Sequence, residues 1–178
     1  VKAEGMIGTT LEKVAAQAGA SKGIVLHYFT NKRELFEHAL REANADLQSD
    51  LAKRLAEARS PKERLEAIVA TNFSARHFEP EVCQAWLSLC AETPRDPRLA
   101  RIQRVIHRRM DSNLRSALKA LVADHQLAKI SLGLSVLIDG LWLRLGVDPK
   151  SVSREAAIDQ VRDFVRSHTG IDLSVPAD

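Results

Sequence analysis

Lys22 and Gly23 stand at the head of a short segment running from Ser21 to about Phe29, with Thr10 and Lys32 heading the segments on either side. These residue types suit the gripping of a polyanion. A hydroxyl and a free amide at a helix start donate to phosphate oxygens. A lysine ammonium can hold a phosphate, or reach acceptors on the edges of bases. Thr10 and Lys32 are therefore expected to hold phosphate. Lys22 and Gly23, at the tip of a helix short enough to enter a major groove, are expected to meet base edges. Between Ala20 and Arg33 the charged residues are Lys22, Lys32 and Arg33, with no acid among them.

Two short helices have to position these groups. The first is expected from Thr10 to Ala18, capped by Thr9 or Thr10, and the second from Ser21, its cap, to about Phe29. Gly19 supplies the positive φ that a tight turn between crossed helices needs. Ala15 falls where the helices cross, and Leu11, Val14, Ala18, Ile24 and Val25 form the expected apolar seam. Taken alone, this is equally the helical hairpin of any all-α protein.

Further helix signals follow along the chain. Asn31 and Glu34 make an Asx version of the capping box and open a long helix to about Arg59. Ser60-Pro61-Lys62-Glu63 opens one to about His77, and Pro80 opens one to about Glu92. Asp96-Pro97 begins a helix to about Val122, Asp124 one to about Leu145, and Ser153 one that stops before Gly170. No alternating strand pattern appears, so the expected fold class is all-α. The domain boundary is expected inside the long helix, giving a head at residues 1–46 and a body at 47–178.

Composition narrows the function. The 178 residues are 45% hydrophobic and 28% charged, a globular balance, and the net charge of +3 is too small to argue for nucleic acid by itself. Neither HExxH, a P-loop, GxSxG nor a Cys–His metal spacing occurs, and the histidines join no catalytic motif, so neither an enzyme nor a cofactor is expected. Cys83 and Cys90 would lie about 10 Å apart on one helix, too far for a disulfide. Free thiols suit the cytoplasm. No signal peptide is visible, and Asp139 and Arg144 interrupt the richest apolar stretch, so no membrane span is expected. The chain starts without Met, which reads as a start inside a longer gene product.

The stretch Thr9-Thr10, Ala16-Gln17-Ala18-Gly19, Ser21-Lys22-Gly23, then His27-Tyr28-Phe29-x-Asn31-Lys32 and Leu35, resembles the DNA-binding domain of TetR-type repressors. Ala85-Trp86-Leu87, Arg108-Arg109-Met110 with Ser112-Asn113-Leu114, and Leu137 to Arg144 resemble the BetI branch, choline-responsive repressors of glycine-betaine synthesis. The resemblance implies a ligand-responsive regulator that binds a palindromic double-stranded DNA operator as a homodimer. It adds Ser21, His27 and Tyr28 to the DNA-contacting residues. Two departures stand out. Leu26 replaces a tyrosine common in the family, and only Val1 to Gly8 precede Thr9, where a further helix is usual.

In the resembled family the helix around Leu132–Leu145 and the last helix form the dimer interface. The first is apolar nearly all round, which calls for burial on more than one side. Ala157, Val161, Phe164 and His168 give the last helix a seam, and Gly140 would allow close approach. Trp86, Trp142, Asp139 and Phe73 are the expected ligand residues, an aromatic cage for a small cation such as choline. The plain alternative is that each is ordinary core. Arg101, Arg104, Arg108, Arg115 and Lys119 lie within about 60° on one helix face, expected to be solvated rather than a second DNA-binding stripe. Rival functions are a TetR-type regulator with another effector, a helical scaffold, or an all-α enzyme.

Overall fold

The computed structural model describes residues 8–174, and among these the chain is helical with no strand. Most of the short leading segment, expected to carry what remains of a first family helix, lies outside the described residues. The described helices are α1 (Leu11–Gln17), α2 (Lys22–Tyr28), α3 (Lys32–Glu57), α4 (Pro61–Asn72), α5 (Pro80–Glu92), α6 (Pro97–Leu118), α7 (Asp124–Val147) and α8 (Arg154–Thr169), with one 3₁₀ turn at Thr93–Arg95.

Local capping sets most of these bounds. Thr10, Ser21, Asn31, Ser60, Asp96 and Ser153 each accept a hydrogen bond from an amide in the first turn of the helix they open. Glu34 and Glu63 reach back one residue past these caps, accepting from the amides of Thr30 (2.8 Å) and Arg59 (2.6 Å), a variant of the capping box. Between α1 and α2, Gly19 takes φ +63°, its amide donates to the Ala16 carbonyl, and the Ala20 amide donates to the Ala15 carbonyl. That pair of bonds is a Schellman motif.

Two bounds move from their expected places. α4 ends at Asn72 rather than near His77. The Thr71 hydroxyl and the Asn72 amide bond back to the carbonyls of Ala67 and Ile68, and the Asn72 carbonyl accepts from the Trp142 indole at 3.2 Å. Residues 73–78 then form turns. α6 stops at Leu118, where the amides of Leu121 and Val122 both donate to the Leu118 carbonyl.

A main core joins α4, α6, α7 and α8 through residues such as Leu65, Ile68, Leu114, Leu134, Ile138 and Val161. A second, smaller core joins the first half of α3 to α5 and α6 through Phe36, Leu40, Leu89, Leu99 and Ile102. Phe36 and Leu40, on the head side of the expected boundary, are thus packed into the body. In the head itself Ala15 and Val25 are buried at the crossing, but Ala18 and Ile24 are exposed, which corrects the expected seam. On α8 the buried face is Ala157, Ile158, Val161 and Val165; Phe164 is half-buried and His168, stacked on it, is exposed.

α7 is long and apolar enough to cross a membrane by length and composition, with a mean hydropathy of 1.6 over its best window, so Asp139 and Arg144 do not break the run as expected. It packs instead against α5, α6 and α8, burying Leu134, Ile138, Leu141 and Leu145. Two of its glycines are set by neighbours. A Cβ on Gly133 would stand 2.8 Å from the Phe164 ring, and one on Gly146 would stand 2.8 Å from the Cys83 carbonyl carbon. The second contact is with backbone, which cannot rotate away. Gly146→Ala should therefore destabilise by about 1–3 kcal/mol. At about 2–4 °C per kcal/mol for a chain of this size, a thermal melt followed by circular dichroism should move down by several degrees.

Candidate nucleic-acid interface and effector cavity

α2 presents an open face. Tyr28 is 69% exposed, Ile24 52% and Leu26 43%. His27 and Tyr28 meet edge-on, with ring centroids 5.3 Å apart. Lys22 opens the helix, and at Gly23 an added Cβ would meet only Ser21 Oγ at 3.8 Å. The N-terminus of α2 is therefore free of side-chain bulk. Thr10 and Ser21 use their hydroxyls as caps. The Ser21 oxygen, already accepting from an amide, can still donate its proton to a phosphate, whereas the Thr10 proton is shared with the Glu12 carboxylate. Lys32 begins α3, its ammonium 5.4 Å from the centre of the Phe36 ring.

Two features of this face were not anticipated from sequence. Ile24, read as seam, is exposed and offers an apolar contact of the kind a thymine methyl accepts. Lys22 is ion-paired to Glu12 of α1. That bond is the first cause holding the Glu12 carboxyl below the usual range.

A cavity of about 480 Å³ opens between α3, the end of α4, α5, α6 and α7. Trp86 and Trp142 wall it, edge-to-face at 6.4 Å, together with Asp139, Met110, Leu89 and Phe36. The structure thus brings together three of the four expected cage residues. Phe73 is the correction: it is 1% exposed, edge-on to Phe78 at 4.9 Å, and does not line the cavity. Its position just after α4 turns it into the main core.

Asp139 keeps 45% of its side-chain surface accessible, with His107 Nε2 3.9 Å away. The walls still withdraw enough solvent to push its carboxyl above the usual carboxylate range, an effect that His107 partly opposes. At the rim nearer α3, Arg76 bonds Asp46 at 2.8 Å and Asp50 at 3.2 Å, and His77 Nε2 lies 3.1 Å from Asp50. The His77 contact is the first cause of the lowered Asp50 carboxyl. This network was not anticipated from the sequence, where residues up to about His77 were expected to continue the helix that Ser60 opens. Burial pushes the Cys83 thiol up to about 12 and Cys90 up to about 11, which keeps both protonated at neutral pH. Arg101, Arg104, Arg108, Arg115 and Lys119 are all exposed.

Residues 2–39 match the model of bacterial regulatory proteins of the tetR family, and residues 61–170 match that of the BetI-type transcriptional repressor C-terminal domain. The chain belongs to the TetR family, with a BetI-type C-terminal domain. Among curated relatives, the HTH-type transcriptional regulator BetI of Escherichia coli is 35% identical over 94% of this chain and 87% of its own. The protein of the same name from Burkholderia lata is 38% identical over 90% and 84%. Among solved structures, a transcriptional regulator from Pseudomonas aeruginosa superposes with TM-score 0.79 at 24% identity, over 93% of this chain and 83% of that one. One from Saccharomonospora viridis in complex with choline gives 0.77 at 18% identity, over 93% and 88%. Membership of the TetR family makes this chain a DNA-binding transcriptional regulator and not an enzyme.

With that role, Lys32→Ala should weaken binding to all duplexes alike and lower the slope of log affinity against log salt by about one unit. A salt titration by fluorescence anisotropy reads this directly. An unchanged slope would remove Lys32 from the phosphate contacts.

Proposed function

We propose that this regulator represses transcription as a homodimer on a palindromic operator, and that a small organic cation of the choline type enters the cavity and releases the DNA. The observation that carries the reading is the pair of indoles, Trp86 and Trp142, beside Asp139 in a cavity whose opposite wall is α3. A quaternary ammonium has no N–H to donate. Aromatic faces and a diffuse negative charge are what can hold it, and a desolvated indole contributes about 2 kcal/mol. The choline held by the structural neighbour from Saccharomonospora viridis supports the same ligand class here. Binding of the cation favours the ionised Asp139 that the apolar walls disfavour.

The route to DNA runs through α3, since Phe36 lines the cavity and also lies beneath Lys32. A hundredfold fall in operator affinity needs the ligand to prefer the released state by about 2.8 kcal/mol, two factors of ten. Support for the dimer comes from α7. Leu132, Val136, Leu143 and Val147 are 48–68% exposed along one face. Gly140 lies among them with nothing within 4 Å of an added Cβ. Apolar groups in a row at helical spacing suit a matching helix pair. Two such protomers would present their α2 helices to half-sites about 34–36 Å apart. The cytoplasm, where the operator and reduced thiols coexist, is the compartment this implies.

Titration calorimetry with choline tests the ligand. Trp86→Ala should weaken it roughly thirtyfold, the equivalent of about 2 kcal/mol. The pH dependence has a definite sign. Choline selects the ionised carboxylate, so affinity should fall as pH drops through the raised range of Asp139, and Asp139→Asn should abolish that dependence. No heat and no loss of DNA affinity at millimolar choline would remove the ligand assignment while leaving the regulator. For assembly, sedimentation at micromolar concentration should give a dimer for the wild type and a monomer for Val136→Glu. A monomeric wild type would overturn the dimer.

A further inference from the structure

Lys22 is the lysine at the tip of the recognition helix, yet it does not stand alone in the free protein. Its Nζ lies 2.5 Å from Glu12 Oε1, and both side chains are 57% exposed. Glu12 belongs to the first turn of α1, two residues after the Thr10 cap. The Thr10 hydroxyl also helps hold the carboxylate in its charged form. A full negative charge therefore sits between the two groups expected to meet DNA from α1 and α2.

That position has a chemical consequence for what Lys22 can bind. An ammonium has three donors. With one given to Glu12, the others can reach neutral acceptors such as guanine O6 and N7 without bringing a second negative charge close. A phosphate is different. To bind Lys22 it must approach the Glu12 carboxylate, and like charges at that range repel, or it must displace Glu12 altogether. Random-sequence DNA offers mainly phosphate contacts, since its base edges do not match. The pair should thus weaken binding to random sequence more than binding to the operator.

We infer that Glu12 is a specificity-determining residue, steering Lys22 away from phosphates and toward base edges in the major groove. This rests on the groove role of Lys22, and the test separates the two. Glu12 is exposed and glutamine is a fair helix former, so Glu12→Gln should fold as the wild type does, checked by its melt. Affinity for a short random-sequence duplex is measured against salt for the wild type, Glu12→Gln, Lys22→Gln and the double variant. Glu12→Gln should steepen the slope by about one unit per bound protomer, as a freed Lys22 takes a phosphate. Between 50 and 200 mM salt that amounts to roughly a 3.5-fold greater loss of affinity. In the wild-type background Lys22→Gln should leave the random-duplex slope nearly unchanged, and in the Glu12→Gln background it should cancel the gain. A slope change of equal size with and without Lys22 overturns the inference, as does no change in Glu12→Gln. If Lys22→Gln also leaves base preference on a selected operator unaltered, the groove role of Lys22 falls with it.

Discussion

Phe36 and Leu40 sit where the DNA-binding head, the long helix and the body meet, buried against Leu89, Leu99 and Ile102. α3 has 26 residues, which at 1.5 Å each makes a rod of about 39 Å. Without this small core the rod would carry α1 and α2 on a free end, and nothing in the body could influence them. With it, the side chain that closes the cavity floor is also the one under the Lys32 ammonium. The ion pair between Arg98 and Glu37 across the same junction is long, at 3.9 Å, and its arginine is largely solvated, so it adds little by comparison. Apolar packing over a few side chains is what makes head and body one mechanical unit.

What was legible in the sequence, and what was not, follows the range of the forces involved. Each expected cap formed, because a cap is a bond between residues two or three apart and needs no tertiary context. The Gly19 turn is local in the same sense. The early end of α4 was hidden because its partner, Trp142, lies 70 residues further on. Ile24 was misplaced by its spacing, which fits the seam, although Ala15 and Val25 are the seam residues fully buried between α1 and α2 and Ile24 faces outward. The Glu12–Lys22 pair spans two helices and depends on the angle at which they cross, which sequence does not reveal. Trp86, Trp142 and Asp139 were reached through family resemblance, and the same route misplaced Phe73, whose backbone leaves α4 pointing to the core.

Charge in the cavity is divided unevenly. The acids Asp46 and Asp50 are already matched by Arg76 and His77 at the rim. Among the described residues Asp139 is matched only by His107 at 3.9 Å, beyond hydrogen-bond length. The cavity therefore holds one weakly matched carboxylate beside the two indoles, with the charged groups at its rim paired to one another. Both cysteine thiols are kept neutral by their burial and add no charge to this balance.

Trp142 is fixed from both sides. Its indole N–H is tied to the Asn72 carbonyl, and its ring lies between Phe78 and Trp86. Elsewhere the lining includes three small side chains, Ala39 and Ala43 on α3 and Ala85 on α5. One part of the chamber is therefore a fixed template, and another has its depth set by methyl groups. Over evolutionary time such a wall can be reshaped one alanine at a time, admitting longer or shorter molecules without altering the aromatic template or the helices that meet DNA. A lineage built this way can change what it senses faster than what it reads.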